Sequence, residues 1–379
     1  MIQWREGVVS ARRPGWDGVV ELDVEVADLG QVRALAYPGV VGTPVPGDRV
    51  LLNTTALERA LGTGGYALVV AIPDRPQAWP RVELGAPGHL VKARYAPLQT
   101  MVLGVDDPEG EHYAELADAD NLFGLPVVAA DLHSALPAIV VGVQDTWPAA
   151  RIAYVMTDGG ALPAAFSRTC AQLRASGSLT CVITAGQSYG GDLEAVTVHS
   201  ALLAAQHVVG ADLVVVSQGP GNLGTGTRWG FSGVSAGEAL NAAAVLGGVP
   251  IASLRVSEAD QRRRHRGLSH HSVTAYGRVL AHGAQIPVPI GQTGNESTDD
   301  CLVAVATQVN ALIGSAHHLQ RVDVEVDGLL EALSSSAVRL TTMGRSLDQD
   351  AASFVAAAAA GRHAARLAGQ ARRDDRTGV

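Results

Sequence analysis

The alternation of strand-like and helix-like segments beyond about residue 100 constrains the fold of this chain more than any other feature. Several of the helical patterns end at a glycine, as at Gly177, Gly210 and Gly247, which suits the left-handed position past a helix end. Strands that alternate with helices build a parallel sheet covered on both faces. We therefore predict an α/β fold with a mainly parallel, doubly wound, Rossmann-like three-layer sheet. The predicted strands are residues 100–105, 138–143, 152–156, 179–184, 211–217, 249–256 and 285–290.

The first 75 or so residues instead predict an all-β unit, because short β-branched or alternating runs are separated by turn residues. A small N-terminal β-barrel is favoured, since closure leaves no exposed edge strand. The proline- and glycine-rich residues 73–88 indicate a boundary. The predicted domains are a β-barrel over residues 1–80, an α/β domain with C-terminal helices over 81–371, and a frayed charged tail over 372–379.

Composition excludes several classes of protein. Hydrophobic residues make up 47% of the chain and charged residues 17%, whereas disordered chains combine low hydrophobicity with high charge. The sequence has neither an apolar stretch of the roughly 18 residues that a membrane span needs nor a signal-peptide pattern at its start. We expect a soluble, cytoplasmic protein with no membrane partner. A net charge of −9 disfavours nucleic acid, and three widely spaced cysteines do not indicate a disulfide framework.

Glycine-rich loops follow several predicted strands, at the sheet edge where open parallel sheets bind ligands. Residues 219–224 match G-x-G-x-x-G, a pattern whose backbone N–H groups can hold a phosphate. No helix follows this loop directly, so we predict a general anion-binding loop and not a standard NAD site. The predicted ligand-binding residues in these loops are Gly159, Gly160, Gly190, Gly219, Gly221, Gly224, Thr225, Gly226 and Thr227.

A run of basic residues, 262–266, stands out in a chain whose net charge is negative. Guanidinium groups bind phosphate and carboxylate bidentately, so Arg264 and Arg266 are predicted to hold an anionic ligand. The alternative is a solvated loop whose arginines pair with Glu258 and Asp260.

Three histidines, His265, His270 and His271, form the densest group of candidate acid–base residues or metal ligands. Ser269 is predicted to cap a helix over residues 270–280, which places two of them in its first turn. The predicted carboxylate partners are Asp158 and Asp192. The sequence does not identify a cofactor, and a divalent metal is one option. Capping or packing roles for the histidines are the alternative.

Residues 186–190 match G-x-S-x-G between a predicted strand and helix, the context of a nucleophile elbow. In this alternative Ser188 is the nucleophile of a serine hydrolase, completed by Asp260 and by His270 or His271. Against it, no His-Gly-Gly oxyanion loop lies upstream, and Asp192 adds negative charge nearby.

Three longer strings resemble a bacterial family catalogued as a domain of unknown function. They are Thr-Asp-Gly-Gly-Ala-Leu-Pro at residues 157–163, Gly-Pro-Gly at 219–221 and His-Arg-Gly-Leu-Ser-His-His at 265–271. The resemblance covers nearly the whole chain and implies no activity, so the chemistry depends on the residues above.

The leading hypothesis is an enzyme or ligand-binding protein for an anionic, phosphorylated or nucleotide-like small molecule at the carboxyl edge of the sheet. The alternatives are the serine hydrolase and a non-catalytic oligomeric sensor. The alanine-rich residues 351–368 would suit a buried contact between copies, so we also predict a homo-oligomer.

Overall fold

The computed structural model describes residues 2–62, 64–76 and 86–377. These residues form two compact units. One comprises Met1–Val102 with Ala165–Ala171, and the other comprises Leu103–Ala164 with Gln172–Val379. The predicted boundary at residues 80–81 and the last two residues of the predicted tail, 378–379, lie outside the described residues. Residues 372–377, predicted to be frayed, belong to the last helix.

The first unit contains the predicted closed barrel, with strand order β1-β2-β3-β5-β4. Alternate residues of its strands, such as Leu22, Val24 and Leu52, are buried in the barrel core. Two further strands pair as an antiparallel hairpin. The elements are β1 (Trp4–Trp16), β2 (Val19–Val26), β3 (Gly30–Ala36), α1 (Pro38–Val41), β4 (Arg49–Asn53), α2 (Thr55–Glu58), β5 (Ala67–Ala71), β6 (Leu90–Lys92) and β7 (Thr100–Val102).

The second unit contains eight parallel strands, which confirms the predicted α/β sheet. They are β8 (Pro126–Ala129), β9 (Ile152–Thr157), β10 (Cys181–Ala185), β11 (Leu193–Ala195), β12 (Leu213–Gln218), β13 (Val249–Ala252), β16 (Ala284–Ile290) and β17 (Leu319–Glu325). Two small antiparallel pairs lie outside this sheet, β14 (Val256–Ser257) with β15 (Gly267–Leu268) and β18 (Thr341–Thr342) with β19 (Arg345–Ser346).

The remaining helices alternate with these strands. They are α3 (Tyr113–Leu116), α4 (Leu136–Thr146), α5 (Arg168–Ala175), α6 (Val198–His207), α7 (Ser235–Val245), α8 (His270–Thr274), α9 (Glu296–Ser315), α10 (Leu329–Ser334) and α11 (Ala351–Thr377). A π-helical turn, Ala275–Val279, continues α8, so the predicted helix over 270–280 is present but irregular.

The alanine-rich helix α11 is buried within the chain itself. Its backbone packs against α4 so closely that a Cβ on Gly142 would lie 1.9 Å from the carbonyl oxygen of Ala358. On the other helix, a Cβ on Gly361 would lie 2.0 Å from the carbonyl oxygen of Ile139. Small residues therefore allow the two helices to approach, and the alanine run is no longer an argument for an oligomer contact.

Several predicted elements were wrong. Residues 138–143 belong to helix α4, whose residues are buried on most sides, and full burial removes the periodicity that distinguishes a helix from a strand. The strand that precedes it, β8, was missed. Residues 100–105 contribute β7 to the hairpin and no strand to the parallel sheet. The helical pattern that ends at Gly210 was predicted to begin at residue 193, but residues 193–195 form β11 and helix α6 begins at Val198.

The order of the parallel strands, β11-β10-β9-β12-β8-β13-β16-β17, defines where the chain changes direction. From β8 the chain runs through β9 and β10 to one edge, returns at β12 between β9 and β8, and then continues from β13 to the other edge. Ligand sites in open α/β sheets lie at the carboxyl ends of strands at such a point. None of the helices in the described residues is long and apolar enough to cross a membrane.

Candidate functional site

Segments that follow β8, β12 and β13 meet at the carboxyl edge of the sheet. Asp131 follows β8, Phe231 lies in the loop after β12, and Arg255 follows β13. The histidine cluster, which we define as His265, His270 and His271, comes from the segment that leads from β14 through β15 into α8. The candidate site therefore lies at the strand-order reversal of the sheet.

One ring nitrogen from each of the three histidines lies within 4.8 Å of the others. The ring centroids are 4.8 Å apart for His265 and His270, 4.9 Å for His265 and His271, and 4.5 Å for His270 and His271. His265 and His271 are buried and His270 is partly buried. The structure thus brings together all three histidines that the sequence singled out.

Local structure explains this arrangement. His265 ends a single 3₁₀ turn, and β15 then begins at Gly267, whose φ of 70° is in the left-handed region. The backbone N–H of Leu268 donates to the Gln308 side chain on α9, which fixes strand β15. Ser269 caps α8, as predicted, by accepting a hydrogen bond from the backbone N–H of His271. Turn, strand and cap together direct the three imidazoles to one place.

The Ser269 hydroxyl has a second role. It lies 2.8 Å from Nδ1 of His265 and is fully buried. Its oxygen can accept two hydrogen bonds, one from the Nδ1–H of His265 and one from the backbone N–H of His271. That tautomer leaves Nε2 of His265 without a proton.

Asp131 holds the ring of His271. Its Oδ2 lies 3.0 Å from Nδ1 of His271 and 3.2 Å from Nη1 of Arg255, which is itself 2.8 Å from the same ring nitrogen. The Asp131 backbone carbonyl accepts a hydrogen bond of 2.8 Å from the Gln218 side chain at the end of β12. The carboxylate therefore neutralises a buried guanidinium and offers an acceptor to Nδ1 of His271, which also faces the donor-only Nη1 of Arg255. Nε2 of His271 is unprotonated in the tautomer whose Nδ1–H donates to Asp131.

The pKa values at the site follow from burial and neighbouring charge. Burial, aided by Arg255, lowers the pKa of His265 to about 3. Burial, His271 and Arg264 lower the pKa of His270 to about 4. Burial opposes ionisation of Asp131, but Arg255 and His271 hold its pKa below the ordinary value. At neutral pH the site therefore combines neutral imidazoles at His265 and His270 with an ionised carboxylate.

Phe231 connects the loop after β12 to the histidine cluster. Its ring stacks on His271, with centroids 3.7 Å apart and planes 9° from parallel, and it meets His270 edge-on at 6.0 Å. Phe231 is buried. An apolar ring in this position excludes water from one side of the imidazoles and lowers the local dielectric.

The predicted anion-binding glycines at residues 159–160 and 219–226 fall into two groups. A Cβ on Gly219 would lie 2.4 Å from the carbonyl oxygen of Ala161, and one on Gly160 would lie 2.1 Å from that of Gly219. Gly159 is similarly close to the Gln218 side chain. These three glycines are therefore explained by the packing of two loops. Gly221, Gly224 and Gly226 belong to the exposed part of the loop.

The tip of this loop folds on itself. The hydroxyls of Thr225 and Thr227 lie 3.2 Å apart, and Gly230 donates its N–H to Thr227. Arg264 lies against the tip, since a Cβ on Gly226 would be 3.2 Å from its Nη2. Arg264 also lowers the pKa of His270. The structure thus brings the loop, one predicted arginine and the histidine cluster together.

The arginines of residues 262–266 were predicted either to hold an anion or to pair with acidic residues of a solvated loop, and the structure contains both kinds. Arg262 pairs with Asp260, with a distance of 2.8 Å between Nη2 and Oδ2, as the solvated-loop alternative predicted. Arg264 and Arg266 are exposed, and neither has an ion-pair partner within the described residues. They are available to an anion from solution.

Asp158 and Asp192 are not brought to the histidine cluster. Asp158 follows β9, and its carboxylate accepts the backbone N–H of Gln187 at 2.9 Å. Asp192 pairs with Arg174 at 2.9 Å and accepts the N–H of Val182. Asp192 precedes β11, four strand positions from β8, which corresponds to roughly 19 Å across the sheet. Both carboxylates hold local structure, and Asp131 is the partner that sequence reasoning missed.

Ser188 also lies apart from the histidines. It is fully buried, and its hydroxyl donates to the carbonyl oxygen of Thr157 at 3.1 Å. Asp260, its predicted triad member, pairs with Arg262 and lies 3.6 Å from Arg345. Gly190 donates its N–H to Glu194, within the same turn. A nucleophile elbow requires an exposed serine hydroxyl, so this geometry weighs against the hydrolase.

Asp131 and Phe231 gave little signal in the sequence. Asp131 ends the apolar run Pro-Val-Val-Ala-Ala at residues 126–130, and recognising that run as a strand would have placed an acidic residue at the carboxyl edge. Phe231 carries no such signal, because an aromatic residue in a loop is most simply explained by packing.

Comparison with known proteins agrees with the resemblance found in the sequence. A family model described as "Protein of unknown function (DUF3866)" matches residues 33–361, a range that includes Asp131, Phe231 and the histidine cluster. No curated protein and no solved structure matches the chain. Because the match covers most of its length, the chain belongs to the DUF3866 family of proteins of unknown function.

Proposed function

We propose that this protein binds a small anionic molecule, of phosphorylated or nucleotide-like type, at the carboxyl edge of its parallel sheet, and that the histidine cluster supplies the reactive groups. The observation that carries the proposal is Arg264, an exposed guanidinium that lies against Gly226 and close enough to His270 to lower its pKa. A cation, a glycine loop and acid–base groups at one point suit an anionic substrate.

The local charge supports the same conclusion. Asp131 is balanced by Arg255, and burial keeps His265 and His270 neutral at pH 7. Arg264 and Arg266 therefore add uncompensated positive charge in a chain whose net charge is −9. A positive site on a negative protein attracts small anions selectively, because polyanions are repelled by the rest of the surface.

Titration calorimetry with pyrophosphate and with AMP, at low ionic strength, tests the proposal. Charge-assisted hydrogen bonds contribute about 1.5–3 kcal/mol, so we expect Arg264→Ala to weaken binding by about 10- to 100-fold. The matched control is Arg278→Ala. Arg278 is exposed and lies in the π-helical turn after α8, outside the histidine cluster and the loop after β12.

We expect the control to bind as the wild type does. Absence of binding by the wild-type protein, or equal affinity in the Arg264 and Arg278 variants, would refute the assignment. For a compound that is turned over, His270→Ala should abolish turnover while retaining most of the binding.

A further inference from the structure

The histidine cluster has the composition of a metal site. Three imidazoles come from one segment of seven residues, with a ligand nitrogen of each within 4.8 Å of the others. In a tetrahedral zinc site, Zn–N bonds of about 2.0–2.1 Å place ligand nitrogens about 3.3 Å apart. Closing the cluster around an ion therefore needs a movement of no more than about 1.5 Å, within reach of side-chain rotation by the partly buried His270.

We propose that His265, His270 and His271 together bind one divalent transition-metal ion, with Zn²⁺ as the chemically favoured occupant. Imidazole is a preferred ligand of this class of ion, and three protein ligands with a fourth open position are typical of catalytic zinc. The inference concerns the site of the proposed function but does not depend on it.

The surroundings of the imidazoles provide the second observation. Metal-bound histidines donate their other ring N–H to a carboxylate, hydroxyl or carbonyl, which fixes the tautomer. Here Nδ1 of His271 lies 3.0 Å from the Asp131 carboxylate, and Nδ1 of His265 lies 2.8 Å from the Ser269 hydroxyl. Both partners are buried. In the tautomers whose Nδ1–H groups donate to these partners, Nε2 of both rings is unprotonated and can bind an ion. For His271 this requires Nδ1 to donate to Asp131 and not to accept from Nη1 of Arg255, which lies 2.8 Å away.

The third histidine has an unsatisfied atom. Nε2 of His270 is buried and has no hydrogen-bond partner among the described residues. Leaving a buried polar atom unpaired costs about 1–3 kcal/mol, and coordination of a cation would remove that cost. If the three rings served only to pack the core, apolar side chains would fill the same space without the cost of an unpaired polar atom.

A bound ion would change the chemical role of the cluster. The histidines would then act as ligands and not as proton acceptors, and the ion would lower the pKa of a bound water or polarise an anionic substrate. Phe231, stacked on His271, would shield one side of the site. Arg264, beside the loop tip, would remain free to orient the anion.

Cobalt titration of tag-free, EDTA-treated protein in phosphate-free buffer tests the inference. Co²⁺ reports its own geometry, because tetrahedral sites absorb visible light more strongly than octahedral ones. We expect one Co²⁺ per chain with tetrahedral absorption, displaced by Zn²⁺. His270→Ala should weaken Co²⁺ binding by about 100-fold or more, and Asp131→Asn by about 10- to 100-fold.

His199→Ala is the matched control, since His199 is exposed on α6 outside the cluster, and it should bind Co²⁺ as the wild type does. Circular dichroism of each variant checks folding, and His270 is only partly buried, so its alanine variant should fold. No stoichiometric binding by the wild type, or equal binding by the His270 and His199 variants, would overturn the inference. A wild-type protein that binds pyrophosphate but no Co²⁺ would refute the metal site alone, and a wild-type protein that binds Co²⁺ but no pyrophosphate would refute the anion site alone.

Discussion

Replacing Asp131 by alanine should be among the most destabilising single changes at the candidate site. The Asp131 side chain is 6% exposed and the Arg255 side chain 9%, with 3.2 Å between Oδ2 and Nη1. Removing one partner of such a pair leaves a buried charge without compensation, which costs about 3–5 kcal/mol. Asp323→Ala is the surface control. The side chain of Asp323 is 50% exposed and that of its partner Arg321 is 27% exposed, so the expected loss of unfolding free energy is about 0–1 kcal/mol.

A double-mutant cycle separates this charge effect from general damage. In the double variant Asp131→Ala/Arg255→Met, the guanidinium that Asp131→Ala leaves unpaired is replaced by an apolar side chain of similar length. What remains is the loss of the His271 hydrogen-bond partner, about 1–3 kcal/mol. If each single variant loses at least about 3 kcal/mol, the double variant should be more stable than additivity predicts by about 3 kcal/mol.

Urea unfolding of EDTA-treated protein at pH 7.5, followed by circular dichroism, measures these free energies without a contribution from bound metal. Additive losses in the double variant, or a loss below about 1 kcal/mol for Asp131→Ala, would contradict the view that Asp131 and Arg255 form a buried ion pair.

Three further predictions concern helix packing, pH dependence and Ser188. Gly361→Ala should lower the unfolding free energy by about 1–3 kcal/mol, because the added Cβ would meet the backbone of α4. Gly369 lies in open space on the same helix, so Gly369→Ala should raise the unfolding free energy by about 0.5–1 kcal/mol. Urea unfolding measures both, and equal effects of the two substitutions would contradict the packing of α11 against α4. Burial and Arg366 lower the pKa of His363 to about 4 in the folded protein. As the pH falls through about 6.5, His363 is therefore protonated in the unfolded chain before it is protonated in the folded one. This difference should lower the unfolding free energy by about 2 kcal/mol between pH 7 and 5. His363→Gln should lose that part of the slope, and an unchanged slope would exclude His363 as its source. Fluorophosphonate probes should not label Ser188, because it is fully buried, and labelling that disappears in Ser188→Ala would revive the hydrolase.

Prediction from sequence succeeded where the signals are local. The barrel and the parallel sheet follow from the period of apolar residues and from turn glycines, and both signals lie within short windows. The three histidines were recognised for the same reason, since one cap at Ser269 and one turn bring them together.

Prediction failed where burial on all sides removed the pattern. Strand β8 and helix α4 are consecutive apolar segments, and neither shows a polar face from which a period could be read. Missing β8 concealed Asp131, and the predicted carboxylates were instead Asp158, which follows β9, and Asp192, which lies just before the start of β11. Position after a strand end places a residue at the sheet edge but does not say how far along that edge it lies.

The sequence by itself determined the two kinds of architecture, the histidine cluster and the cap that orients it, because each depends on neighbours within a few residues. Only the tertiary structure decided the rest of the site. Asp131 and His271 are 140 residues apart in the chain, and they meet because strand order places the ends of β8 and β13 side by side. Strand order is set by the burial of whole helices against the sheet, a property of the complete fold that no short stretch of sequence carries.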